Sequence, residues 1–308
     1  MTTEALIFAA PPARRKVPRR EGSTGPVLVV VLVILALWYV AAIFMNWQGV
    51  TDAFSRTGEQ HTTGEILLGT LDQERPVLPA PHQVVAELKK TVFDIAITSR
   101  RNLLFHAWVT LSSTLLGFGL GALLGIVLAV LIVHVKTLER SLMPWIISSQ
   151  TIPILAIAPI IIVVLGSIGI TGLLPKAIIS AYLCFFPITI SMVKGLNSPD
   201  PIQRDLMRTY SASGAQIFWK LRLPASLSYL FAGLKVAAAI SLVGAIVGEL
   251  PTGAQAGLGA RLLAGSYYGQ TIQIWAALFG AAILASILVA IVSLAERIVN
   301  RRMGVHRA

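Results

Sequence analysis

Charge is scarce in this chain of 308 residues: Asp, Glu, Lys and Arg together make up 13% of it, while 55% is hydrophobic. A soluble domain of this size carries about twice that charge to cover its surface, so a globular soluble protein is excluded. Cysteine is nearly missing as well. Cys184 stands alone, which removes a disulfide framework and a thiolate metal site from consideration. No HExxH pair, Walker A loop or Ser/His/Asp constellation occurs, and the chain is expected to be non-catalytic and to hold no cofactor or metal. Acid is the scarcer sign, 14 Asp and Glu against 25 Lys and Arg.

What is present instead is apolar sequence in long blocks. The mean hydropathy is +0.76, and the hydrophobic residues run together rather than forming stripes. A hydrocarbon core of roughly 30 Å takes about 20 helical residues to cross. Six blocks reach that length: Pro26–Met45, Trp108–Val133, Leu142–Gly166, Leu173–Val193, Ser228–Gly248 and Ile272–Leu294. The expected fold is therefore all-α and polytopic, with six transmembrane helices, the form in which every backbone polar group is satisfied within lipid.

The basic excess orients these spans. With the N-terminus inside, the inner pieces 1–25, 134–141, 194–227 and 295–308 carry sixteen Lys/Arg and six Asp/Glu, whereas the outer pieces carry eight of each. That asymmetry follows the positive-inside rule and accounts for the basic balance without nucleic acid. Both termini are then cytoplasmic in a multi-pass membrane protein. Arg14, Arg15, Lys16, Arg19 and Arg20 before the first block imitate a signal peptide. The block is longer than the apolar region of such a signal and lacks a small-x-small cleavage site, so it is read as a retained first anchor.

The longest outer piece, 46–107, begins with the polar TDAFSRTGEQHTTGE, expected as loop. Within Leu78–Ile95, Pro79 and Pro81 mark a helix start. Val84, Val85, Leu88, Val92, Phe93 and Ile95 then recur near helical spacing opposite Glu87, Lys89, Lys90 and Asp94. This predicts an amphipathic surface helix. His82 and His106 are too isolated for metal ligands and read as polar loop or interface residues.

Inside the spans, Gly117, Gly121 and Gly125 share one face of the second helix, a pattern that lets helix backbones approach. The third span carries Pro144, Pro153 and Pro159 beside the polar Ser148–Thr151. A kinked helix lining a watery cavity, with Gln150, Thr151 and Pro153 on the path, and plain packing both fit this. Lys235 is expected to snorkel from the inner end of the fifth span, and Glu249 to stand at its outer end as a further candidate for the path. No intramembrane carboxylate relay is evident, which disfavours a proton-driven stand-alone transporter or channel; a membrane-embedded enzyme is disfavoured by the missing catalytic cluster.

The polar segment Asp205–Pro224, DLMRTYSASGAQIFWKLRLP, lies in the inner loop 194–227. Asn197-Ser198-Pro199-Asp200-Pro201 supplies turn and N-cap residues. Ile202, Leu206, Thr209/Tyr210, Ser213, Ile217 and Leu221 then follow at three- to four-residue steps, and Leu223-Pro224 is expected to end the helix ahead of the fifth span. Such a helix suits docking into a partner's groove; an ordinary interfacial helix between two spans is the plainer reading.

Here the sequence resembles the membrane-spanning subunits of binding-protein-dependent ATP-binding cassette importers, in particular their nitrate/sulfonate/taurine branch. Those proteins carry a cytoplasmic pattern E-A-A-x₃-G-x₉-I-x-L-P. In this chain Asp205, Leu206 and Met207 stand at the E-A-A places, Ser211 at the glycine, Leu221 at the isoleucine, and Leu223-Pro224 is kept, with Gly214 three residues past the glycine place. LPAPHQVVAEL, TIPILAIAPIIIVVLG, NSPDPIQRD, GLKVAAAISLVGAIVGEL, Gly257-Leu258-Gly259 and Leu294-Ala295-Glu296-Arg297 extend the resemblance through most of 79–302. It implies a five-helix permease core over 108–294 behind the 26–45 anchor. It also implies dimerisation with a second permease subunit, a homodimer or a heterodimer, an extracytoplasmic solute-binding protein, and a cytoplasmic ATPase dimer that carries the ATP and Mg. The 205–224 segment would be the coupling helix. Substrates of the branch are small anions such as sulfonates, taurine or nitrate, or heterocycles such as pyrimidines and flavins. The outer segment with Tyr267 and Tyr268 leans toward a heterocycle, and Arg261 there is an anion contact or a solvated loop charge.

Overall fold

The computed structural model describes residues 24–57, 62–251 and 256–303; most of the basic N-terminal segment and residues 304–308 lie outside them. Among the described residues every regular element is helical. In chain order they are α1 (Thr24–Thr57), α2 (Thr63–Leu71), α3 (Pro81–Lys89), α4 (Leu103–His134), α5 (Lys136–Ser149), α6 (Ile154–Ser167), α7 (Leu173–Leu196), α8 (Pro201–Thr209), α9 (Gly214–Ile217), α10 (Leu223–Glu249), α11 (Leu258–Tyr267) and α12 (Thr271–Arg302). Five helical runs are long and apolar enough to cross a membrane, and the bent pair α5–α6 makes a sixth when counted as one span. The protein is all-α and polytopic, as the six apolar blocks predict.

α7 is the centre of the bundle, with half of its residues buried between α4 and α10. The three-glycine face of α4 allows this. A Cβ at Gly117 would strike Ser180, one at Gly121 would strike the Cys184 thiol, and one at Gly125 would lie 2.8 Å from the Phe185 carbonyl. An adjoining side of α7 is met by Gly233 and Gly244 of α10, whose added Cβ atoms would approach Ser191 and Ser180 within 2.7 Å. Ser180 donates to the Ser241 carbonyl at 2.8 Å, so one small polar residue sits where three helices cross. Dispersion and close backbone approach hold such an interface, since lipid tails are as apolar as the side chains.

Four sequence expectations are corrected. The polar stretch TDAFSRTGEQHTTGE, expected as loop, is helical at both ends: α1 continues to Thr57 and α2 begins at Thr63 and folds back along it, while residues 58–61 lie outside the described residues. Asn46 fixes this corner. It is fully buried, donates to the carbonyls of Thr70 and Leu78 at 3.0 and 2.9 Å, and accepts from the amides of Val77 and Leu78. One amide side chain thus serves backbone groups that the turn leaves unpaired.

The third span is not one kinked helix. α5 and α6 diverge by 98° across Gln150–Pro153.

The segment 205–224 is not one helix, and Leu223-Pro224 does not stop it. α9, a π turn over Phe218–Arg222 and α10 form one continuous run, Gly214–Glu249. The Leu223 amide reaches five residues back to the Phe218 carbonyl, and this widened turn accommodates the Pro224 ring without ending the helix.

Lys235 does not snorkel alone. It pairs with Glu296 of α12 at 2.6 Å.

The surface helix before the second span does form. Pro81 occupies its first turn, the Gln83 side chain accepts from the Ala80 amide, and Val84, Leu88 and Val92 pack inward while Val85 and Phe93 stay exposed. Trp38 of α1 ties it down, donating to the Pro79 carbonyl and stacking on Phe279.

Candidate functional site

The loop between α7 and α10 is built in two halves around one unusual residue. α7 ends at Leu196, Pro201 opens α8, and the Asp200 amide donates to the Gln203 side chain. None of the nine α8 residues is buried. Ile202, Leu206 and Tyr210 recur every four residues and stand open on one face, an amphipathic surface with no intrachain cover. Asp205 pairs with Arg208 at 3.3 Å, one turn along.

α8 ends in a Schellman turn. The Ala212 amide donates to the Met207 carbonyl and the Ser211 amide to the Arg208 carbonyl, at 3.0 and 2.8 Å. Ser211 has φ 55°, the one positive value for a non-glycine among the described residues. This is the glycine place of the importer pattern, and the geometry explains the preference: a left-handed residue is least strained without a Cβ. Ser213 then caps α9, its hydroxyl accepting from the Gln216 amide, with Gly214 as the first residue. Leu221, Leu223 and Pro224 lie half-buried where the π turn passes into α10. The eight residues expected to couple are thus divided among α8, the turn and the head of the fifth span.

The path candidates separate into two places. Gln150, Thr151 and Pro153 lie together, exposed, at the α5–α6 break, where Tyr182 of α7 donates to the Ser149 carbonyl at 2.6 Å. Glu249 lies elsewhere, fully buried at the far end of α10. Thr110 Oγ1 donates into its carboxylate at 3.0 Å, the Gly259 amide at 2.8 Å, and Lys176 stands 3.9 Å away. Thr110 also accepts from the Leu258 amide, and His106 Nδ1 accepts from the Gly257 amide at 3.0 Å. His106 Nε2 therefore carries the proton it donates to the Arg100 carbonyl. Gly257, at φ 127°, passes so close to Glu249 that a Cβ there would collide with the carboxyl. Together these groups seal the start of α11 onto the bundle.

Sequence reasoning placed Glu249 at a helix end but missed this cluster, whose members come together over more than a hundred residues. His106 is a buried interface residue, as expected, and Arg261 on α11 is half-buried, with burial lowering its pKa and Glu87 opposing that shift. Tyr267 and Tyr268 are exposed.

The family described as "Binding-protein-dependent transport system inner membrane component" matches residues 121–305. Among curated proteins, the formylaminopyrimidine transport permease protein ThiX of Halalkalibacterium halodurans is 34% identical over 59% of this chain and 68% of its own length. The riboflavin transport system permease protein RibX of Chloroflexus aurantiacus is 33% identical, over 64% and 71%. The putative aliphatic sulfonates transport permease protein SsuC of Bacillus subtilis is 27% identical, over 72% and 76%.

Proposed function

From its membership of the inner-membrane component family of binding-protein-dependent transport systems, an ATP-binding cassette importer permease, we propose that this chain forms the translocation path for a small solute and is driven by ATPase subunits docked on its inner loop. The observation that carries the reading is the uncovered apolar face of α8, Ile202, Leu206 and Tyr210, held out on a helix whose end is set by Ser211. A helix of this kind lies in a hydrophobic groove, and the groove belongs to an ATPase that holds the ATP and Mg. Hydrolysis takes place on that partner, and this chain contributes no catalytic group. The loop then faces the cytoplasm together with both termini, in agreement with the basic excess of the same pieces, and the chain sits in the bacterial inner membrane.

The solute arrives from an extracytoplasmic binding protein. It is a nitrogen heterocycle of pyrimidine or flavin type, since the permeases for formylaminopyrimidine and riboflavin are closer in sequence than the sulfonate permease. Two copies of the chain face each other in the membrane. The α5–α6 break, with Gln150, Thr151 and Pro153, lines the path between them, while Glu249 holds the outer end of α10 in place.

The test is a pull-down of tagged protein from native membranes in mild detergent, with mass spectrometry of the eluate. An ATPase subunit and a solute-binding protein are expected, and the latter's bound ligand names the solute. Asp205→Lys should lower ATPase recovery without altering membrane insertion. An ATPase-free eluate, from membranes in which another importer stays intact, would overturn the reading in favour of a stand-alone transporter.

A further inference from the structure

At the α8 end of the bundle a cleft of ≈ 990 Å³ opens between the tip of α4, α8 and the α9–π turn. Its lining is amphiphilic: Val130 and Val133 of α4 and Phe218 are apolar, while Arg204, Arg208 and Arg222 are cationic. Asp205 is the one carboxylate among the described lining residues, and it is already engaged with Arg208. The three guanidinium groups therefore exceed the acid present by two. They also act on one another, for Arg204 and Arg208 both repel Arg222. Arg222 Nε is buried and is the one such side-chain nitrogen or oxygen without a hydrogen-bond partner among the described residues. A buried donor without an acceptor is costly, and guanidinium forks match phosphate oxygens in shape and charge.

We propose that this cleft binds the headgroup of an anionic phospholipid, its phosphate held by Arg204, Arg208 and Arg222 and an acyl chain laid along Val130, Val133 and Phe218. Two observations favour a lipid over an acidic protein segment. Val127, one turn back from Val130 along α4, is exposed, so the apolar wall of the cleft continues onto the apolar outer surface of a helix long enough to span a membrane. Arg204 and Leu206, two residues apart on α8, point about 160° apart. The face offered to a protein partner is thus the one turned away from the cleft. Basic pockets at the inner ends of spans take lipid headgroups by this chemistry. The proposal rests on the reading of the α8 end as the inner end of the bundle, but its test does not use the ATPase.

The full chain, purified in mild detergent, is titrated with phosphatidylglycerol or phosphatidylcholine of the same acyl chains and read by native mass spectrometry. One phosphatidylglycerol per chain is expected, bound at least about tenfold more tightly than phosphatidylcholine. Arg222→Gln and, on the open helix α8, Arg204→Gln should each weaken it about fivefold, the worth of one basic residue beside an anionic headgroup. Arg140→Gln, in a separate pocket, should leave it unchanged. Equal binding of the two lipids, or wild-type binding by Arg204→Gln, overturns the proposal. Displacement of the lipid by inorganic phosphate would mark the site as one for free anions, and displacement by added ATPase subunit would mark it as a protein contact; either result also overturns it.

Discussion

Thr110 gives its hydroxyl proton to the carboxylate of Glu249 at 3.0 Å, across 139 residues of sequence, while accepting the Leu258 amide at 2.8 Å. One hydroxyl thereby joins α4, α10 and α11. Thr110→Val keeps the shape but removes both bonds inside a buried site, a loss of about 1–3 kcal/mol. The melting temperature in detergent should fall by several degrees, and Thr110→Ser should recover most of it.

The glycine face of α4 allows a paired test. Gly121→Ala forces a methyl against Cys184 and the Ala181 carbonyl, whereas Gly119, two residues earlier, has open space around the same position. The first substitution should cost about 1–3 kcal/mol through overpacking. Gly119→Ala should be neutral or stabilising by about 0.5–1 kcal/mol, because alanine suits a helix better. Equal melting temperatures for the two variants would sink the account of α4–α7 packing.

Ser211 carries a conformational penalty that glycine would not. Ser211→Gly should stabilise the α8 turn by about 1 kcal/mol, seen as roughly fivefold slower amide exchange along Pro201–Thr209. Ser211→Val, branched at Cβ in the left-handed region, should speed exchange and reduce ATPase recovery.

Lys235 and Glu296 pair between α10 and α12 with the carboxylate nearly buried. Removing either partner alone should destabilise more than removing both. A double-mutant cycle with Lys235→Met and Glu296→Gln, followed by thermal unfolding, should give a coupling energy of about 1–2 kcal/mol.

Thr151→Cys, made in a Cys184→Ala background, should react with a membrane-impermeant maleimide, since the break is exposed. Native Cys184, fully buried against Gly117 and Ala181, should not react in the folded protein. A Thr151→Cys variant that stays unlabelled would remove the α5–α6 break from the water-filled path.

The spans were legible because a membrane helix is specified by its own apolar residues and needs no partner to be recognised. What could not be read depended on contacts. The polar continuation of α1 is held by Asn46 reaching residues some thirty positions away, and nothing in TDAFSRT announces a helix. Prolines signalled disturbance in the third span, but a kink and a right-angle break share that signal. In the loop between α7 and α10 the spacing of the importer pattern survived, yet Ser211 hid the turn that a glycine would have advertised. Leu223-Pro224 misled for the opposite reason: a π turn absorbed the missing donor. The Glu249 cluster and the arginine cleft had no local signature, since each gathers residues from separate helices.

The continuous helical run Gly214–Glu249 has a mechanical consequence. At 1.5 Å per residue its 36 residues form a rod of about 54 Å. One tip lies beside the α8 turn and the other ends in the carboxylate that fastens α11. A rod of that length tilted about 5° at one tip displaces the other by about 5 Å, nearly a full helical pitch. In the proposed importer the α8 turn and the Glu249–α11 junction would thus sit at the two ends of one lever, and a push on the first would be carried to the second.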